Sequence, residues 1–160
     1  MATFLMQTQW KEKWKMAYKS KYFTLEELLR SDTALSYRIE NLPTWEDIEH
    51  LLELAKFLDE MREAYGKPIY VSSGLRKAKL NSRVGGVSTS IHQIGYAVDL
   101  YVKGGNRPMD KFIEWLKVYL KDKDFDQCIT ERSKTGTTWI HFGLYNNKHQ
   151  QRHQLFDAVA

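Results

Sequence analysis

"SIHQIGYAVDL", residues 90–100, sets a histidine, a glycine and an aspartate at the entrance to an otherwise apolar run. The alternation in "YAVDLYV" (96–102) reads as a strand, with Ala97 and Asp99 on one face and Tyr96, Val98 and Leu100 on the other. Asp99 is the anomaly: an unpaired carboxylate in a buried strand is costly, and a bound cation removes the cost. His92 falls in the loop before the strand. An imidazole and a carboxylate suit zinc, and a catalytic zinc site keeps three protein ligands and one position open for water. The candidate third ligand is His141, which is also mid-strand among apolar residues in "TTWIHFGLY" (137–145). Taken alone, a histidine in a strand is more often an ordinary hydrogen-bonded core residue than a ligand; the combination of the three points to a metal.

Outward from this stretch, the chain reads as alternating scaffold and strand. "YFTLEELLR" (22–30) opens with Thr24 and Glu27 in capping-box spacing and predicts a short helix. "LPTWEDIEHLLELAKFLDEMREAYG" (42–66) is the strongest helical signal. Pro43 and Thr44 open it, Asp47 completes an acidic first turn, Gly66 closes it, and Ile48, Leu51, Leu52, Ala55, Leu58 and Met61 form its apolar stripe. "KPIYVSSGLR" (67–76) predicts a short strand ending in a turn at Gly74, and "KAKLNSRVGG" (77–86) a short helix or turn stopped by Gly85 and Gly86. "RPMDKFIEWLKVYLKD" (107–122) is a second amphipathic helix. "FDQCITE" (125–131) and "TWIHFGLY" (138–145) are strands joined by "RSKTGT", which has the turn chemistry of a hairpin. The expected class is α+β, an antiparallel sheet flanked by helices.

The bulk properties bound the rest. With 160 residues, no internal repeat and no Pro-, Gly- or Ser-rich linker, residues 1–160 read as a single domain with a basic amphipathic extension at 1–21 and a polar tail at 146–160. The net charge of +4, from 24 basic and 20 acidic residues, is too balanced to imply nucleic-acid binding. Part of the excess sits in "WKEKWKMAYKSK" (10–21), where Trp10, Trp14, Ala17 and Tyr18 would share a helical face; packing on the domain is the expected role, wall or membrane contact the alternative. No run approaches the roughly 20 apolar residues of a membrane span. The start lacks secretory-signal features, so the expected location as synthesised is the cytoplasm. A monomer is expected, and Cys128 reads as a buried thiol.

"SSGLRKAKLNSRVGGVSTSIHQIGYAVDL" (72–100), with "FDQCITE" and "WIHFGL", resembles the zinc D-alanyl-D-alanine carboxypeptidase family of metallopeptidases, particularly its branch in phage and bacterial genomes. The resemblance runs from about Tyr22 to Tyr145 and rests on Ser-x-His-x-x-Gly-x-Ala-x-Asp, a distant Trp-x-His and an upstream Ser-Gly-x-Arg. It implies the fold shared with the hedgehog signalling domain, and one zinc ion bound by His92, Asp99 and His141. It also implies Arg76 facing the substrate, and hydrolysis of peptidoglycan stem peptides as a carboxypeptidase or an endolysin-type endopeptidase that would act on the cell wall. Ser90 would bind substrate or order the ligand loop. Gly95 and Ala97 would make room for packing.

The base is where the chain departs from this pattern. Many members carry an acid three positions before the last zinc histidine, where this chain has Thr138. Glu131 is the expected replacement. It shares a face with His141 only if the hairpin turn has odd length, such as 133–137, or contains a bulge. The alternative reading is a catalytically inactive, zinc-stabilised binding or virion module of the same fold, distinguished by having no carboxylate near the site. "HQQRH" (149–153) imitates a zinc-helix spacing but has Gln150 where a base is needed, and is expected to be a polar segment. His50 is expected to be a surface or packing residue.

Overall fold

The computed structural model describes residues 18–158, so the stripe of Trp10, Trp14 and Ala17 lies outside the described residues. Helix α1 (Leu25–Leu29) starts where Thr24 accepts a hydrogen bond from the Glu27 N–H. A five-residue helix, α2 (Asp32–Ser36), follows and is capped by Ser31. The long helix α3 (Trp45–Tyr65) opens at Thr44 as expected, and Asp47, expected only to make the first turn acidic, closes a full capping box with it; the helix ends at Gly66 in the left-handed conformation, φ 70°. Its buried stripe includes Leu54, where the sequence pattern pointed to Leu52, which is only half-buried. No helix among the described residues is long and apolar enough to cross a membrane.

The strands are β1 (Tyr70–Ser73), β2 (Ala97–Tyr101), β3 (Gln127–Arg132), β4 (Thr138–Gly143) and β5 (Gln154–Asp157), in the order β1-β2-β4-β3-β5. Between them lie α4 (Ala78–Arg83), a 3₁₀ turn at Ile91–Ile94 and α5 (Asn106–Tyr119). The first four strands in that order pair antiparallel, and β5 adds a parallel edge to β3.

Strand β5 corrects the expectation of a polar tail over 146–160. Its anchor is Asp126, a fully buried carboxylate that takes two parallel hydrogen bonds from Arg152, Nε at 2.7 Å and Nη2 at 2.9 Å. This fork satisfies a charge that would otherwise be prohibitive inside the protein. His153 N–H then donates to Phe125 O and Gln154 N–H to Asp126 O, which starts the parallel ladder. His149 and His153 both have positive φ, 56° and 55°, so the segment is no helix, and its histidines do not stack one turn apart. His149 lies flat on Tyr145, with centroids 4.1 Å apart.

Side-chain alternation divides the sheet into two faces. Val98, Leu100, Cys128, Ile140 and Phe142 point to one face and are all buried with Leu51, Leu54, Leu58 and Met61 of α3 and Met109, Phe112 and Leu116 of α5. Each large aliphatic or aromatic side chain here contributes roughly 1.5–3 kcal/mol by leaving water. Cys128 is 3% exposed, and burial pushes its thiol up to about 12, so it is inert at neutral pH. The opposite face carries Asp99, His141 and Glu131.

The N-terminal end of the described chain is held to α3 by Asp59, with Glu63 adding bonds from Lys21 and Tyr22 at the surface. Asp59 accepts hydrogen bonds from Tyr18 Oη, Ser20 Oγ (2.8 Å), Lys21 N (2.7 Å) and Tyr22 N (3.0 Å). Burial opposes its ionisation, but the donors from Tyr18, Lys21, Ser20 and Tyr22 outweigh it and hold the carboxyl below its ordinary value. We expect Asp59→Ala to cost about 2–4 kcal/mol, because several donors lose their acceptor together. A depressed folded-state pKa stabilises the protein above the unfolded value near 3.8 and stops doing so as the pH falls through the folded one. Urea denaturation from pH 6 to pH 2 should therefore show the wild-type advantage over Asp59→Ala shrinking below about pH 4.

Candidate active site

His92 is placed by the 3₁₀ turn. Ser90 caps it, its Oγ accepting from His92 N at 3.3 Å, and Gly95 ends it with φ 83°. No side chain fits at Gly95, where a Cβ would come within 2.6 Å of Asp47 O. His92 is fully buried, and its Nδ1 lies 2.7 Å from Gly74 O. A carbonyl can only accept, so Nδ1 carries the proton and Nε2 presents a lone pair. Burial pushes His92 toward the neutral form, more strongly than Asp99 favours its charged form.

Asp99 and His141 sit opposite each other in the β2–β4 ladder, so their side chains share a face. His92 Nε2 is 3.2 Å from Asp99 Oδ1 and 3.2 Å from His141 Nδ1, and His141 Nδ1 is 3.5 Å from Asp99 Oδ1. All three residues are buried, and one ligand atom from each lies within 4.8 Å of the others. Burial opposes the Asp99 charge, but the two imidazoles overcome this and hold its carboxyl well below the usual range. A proton on His141 Nδ1 can bridge one pair of these atoms; a divalent cation satisfies all three lone pairs together. The donor set fits a metal.

Glu131 stands one strand further across. The register pairs Ile129 with His141, Glu131 with Trp139 and Arg132 with Thr138, which leaves a five-residue turn, 133–137. The odd length puts Glu131 on the same face as His141. Thr138 has the opposite parity: it is buried, and its Oγ1 accepts from Arg132 Nε at 3.2 Å. Burial raises the Glu131 pKa, the Asp99 charge raises it further, and His141, Arg76 and a hydrogen bond from Trp139 partly offset this.

Arg76 completes the cluster, with Nη1 3.6 Å from Asp99 Oδ2. Its backbone N–H donates to His92 O at 3.0 Å. Its Nε is buried with no hydrogen-bond partner among the described residues. Arg76, Ser90, Asp99, Glu131 and His141 all line a cleft of about 760 Å³, within the usual range of small-molecule sites.

A sequence profile of the Peptidase M15 family matches residues 21–142, which span the whole of this cluster. The chain belongs to the peptidase M15 family. It is also similar to the zinc D-Ala-D-Ala carboxypeptidase of Streptomyces albus G, 52% identical over 44 residues. That stretch is 27% of this chain and 17% of the relative's length.

Within this M15 chain, two supporting groups escaped the sequence reading. One is the Gly74 carbonyl. Gly74 was expected to form a turn, but its need for glycine comes from close approach: a Cβ there would lie 2.1 Å from Leu28 O, beside the Leu75 N–H to Leu28 O bond of 2.9 Å. Gly74→Ala must displace backbone, and we expect a loss of about 2–4 kcal/mol in thermal or urea denaturation. Because the same residue orients His92, cation affinity should also fall by about 10–100-fold in a metal titration. The other group is Asn41, whose side chain donates to Leu75 O (2.9 Å) and accepts from Lys77 N (2.8 Å), clamping the backbone on both sides of Arg76. No local pattern signals either. His50 packs as expected, its ring 3.9 Å from that of Tyr96 and its Nδ1 2.6 Å from Ile94 O.

Proposed function

We propose that the protein is a zinc peptidase that hydrolyses peptide bonds in peptidoglycan stem peptides, as a D-Ala-D-Ala carboxypeptidase or as an endolysin-type endopeptidase of phage. His92, Asp99 and His141 hold the zinc, and Glu131 is the general base. The observation that carries this reading is the convergence of three lone-pair atoms, two of them from residues lining the cleft, with a half-buried carboxylate on the same sheet face as Asp99 and His141. The name of the Streptomyces relative supports both the metal and the substrate class.

Zinc bound there supplies Lewis-acid activation of water and of the scissile carbonyl. The protein's own groups do the rest. His92 is locked in one tautomer by Gly74, so its Nε2 is committed to ligation. Glu131 Oε takes the proton from the attacking water, and its raised pKa makes it a better acceptor than an ordinary surface carboxylate. Arg76 lines the cleft beside Asp99 and offers N–H donors to the carbonyl oxygen as charge builds there, or to a terminal carboxylate. Ser90 orders the ligand loop through its cap on His92 N and borders the same cleft. The place of Glu131 favours this enzyme over an inactive binding or virion module, which needs no carboxylate there. The site of action is the cell wall, reached after synthesis in the cytoplasm.

The test is incubation with purified peptidoglycan, with and without chelator, followed by mass analysis of released fragments. Loss of terminal D-Ala marks a carboxypeptidase, and cut stems or cross-links mark an endopeptidase. Absence of chelator-sensitive products would sink the proposal.

A further inference from the structure

The open face of the sheet carries a second cross-strand row beside the metal-ligand row. Asp99 and Tyr101 are two residues apart on β2, and His141 and Trp139 two apart on β4, so Tyr101 and Trp139 share the Asp99–His141 face. Tyr70 pairs with Tyr101 across β1–β2, and their rings stack with centroids 5.4 Å apart at 28°. Lys103 Nζ sits 4.4 Å from the centroid of the Tyr70 ring and helps fix it. Glu131 pairs with Trp139 at the other end. The row therefore runs Tyr70, Tyr101, Trp139, Glu131: three half-exposed aromatics leading up to the general base.

The two middle members of this row, Tyr101 and Trp139, border a second cavity of about 600 Å³, with Tyr70 stacked behind Tyr101 outside it. They line it together with Ser72, Asn106 and residues 135–138 of the hairpin, and Val102 and Met109 at the end of the sheet close it from the apolar side. Trp139 lines both this cavity and the catalytic cleft, so the two lie on either side of one indole. Aromatic faces ringed by hydroxyl and amide groups match a pyranose ring, which offers a C–H face for stacking and a rim of hydroxyls for hydrogen bonding. A lipid chain would leave the polar rim unused.

We propose that the Trp139–Tyr101–Tyr70 shelf is a saccharide-stacking subsite, which receives a sugar ring of the glycan strand that carries the stem peptide. The inference rests on the peptidoglycan reading above and narrows the substrate to peptide still attached to glycan.

Two measurements on the full chain test it. Glycan strands stripped of peptide are titrated while the Trp139 indole N–H is followed by NMR. The signal should shift and saturate, and Tyr101→Ser and Tyr70→Ser should each weaken binding by about tenfold, the scale of one lost stacking contact. Tyr70 lies on an edge strand, which protects the test from a folding failure at Tyr101. In parallel, the preference in kcat/KM for glycan-linked over free stem peptide should fall by about tenfold in both variants. An unmoved Trp139 signal, or equal losses on both substrates, overturns the proposal. If neither substrate is cleaved, the assignment as a peptidase fails, while the glycan titration still decides the shelf.

Discussion

Glu131→Gln lowers kcat/KM on wall peptides by about 10²–10⁴-fold, the usual contribution of a positioned general base, while zinc binding stays at one equivalent. The amide is nearly isosteric with the carboxylate but cannot take a proton at neutral pH. Its hydrogen bond from Trp139 can persist, because the amide oxygen still accepts. Thr138→Glu in the Glu131→Gln background should not restore activity. Position 138 points to the buried face against Arg132, away from the cleft. Paired measurements of zinc content and turnover check both statements, and an active Glu131→Gln enzyme would remove Glu131 from the mechanism.

His92→Ala abolishes both activity and the response of stability to zinc. In the wild type, free zinc at a hundred times Kd should add about 2.7 kcal/mol, which for a chain of this size raises Tm by roughly 5–10 °C. In the variant the Asp99 carboxylate keeps its buried position but loses one of its two imidazole neighbours, so the apo protein should also be less stable than the wild-type apo form. Differential scanning calorimetry with and without zinc separates the effects. A variant that still gains 5–10 °C with zinc would mean that the ion binds elsewhere.

Locally encoded features were readable in advance. Thr44, Asp47 and Gly66 set the limits of α3 through backbone hydrogen bonds within a few residues, and the structure places them as the sequence indicates. The same holds for Thr24 and for the two hairpin strands. The site positions 92, 99 and 141 came from residue chemistry and a family resemblance. Their convergence depends on the β2–β4 register, which pairs residues far apart in the chain. The position of Glu131 came down to the parity of one turn, which composition does not fix. Strand β5 was hidden because its four residues follow a polar segment and pair parallel with β3 through the buried Asp126–Arg152 anchor, a tertiary contact with no local signature. The need for glycine at position 74 comes from a close approach to Leu28, which no local pattern around Gly74 encodes.

The two-faced sheet has a practical consequence for engineering. Positions 98, 100, 128, 140 and 142 project only into the apolar interior, so cavity-filling or consensus changes there can raise thermal tolerance without disturbing turnover. Positions 99, 101, 131, 139 and 141 project to the opposite face, that of the proposed site, and if that proposal holds, libraries restricted to 101 and 139 retune selectivity with little penalty to the scaffold. Most enzymes trade robustness against catalysis within one set of residues; here the pleat assigns the two to alternate residues along each strand.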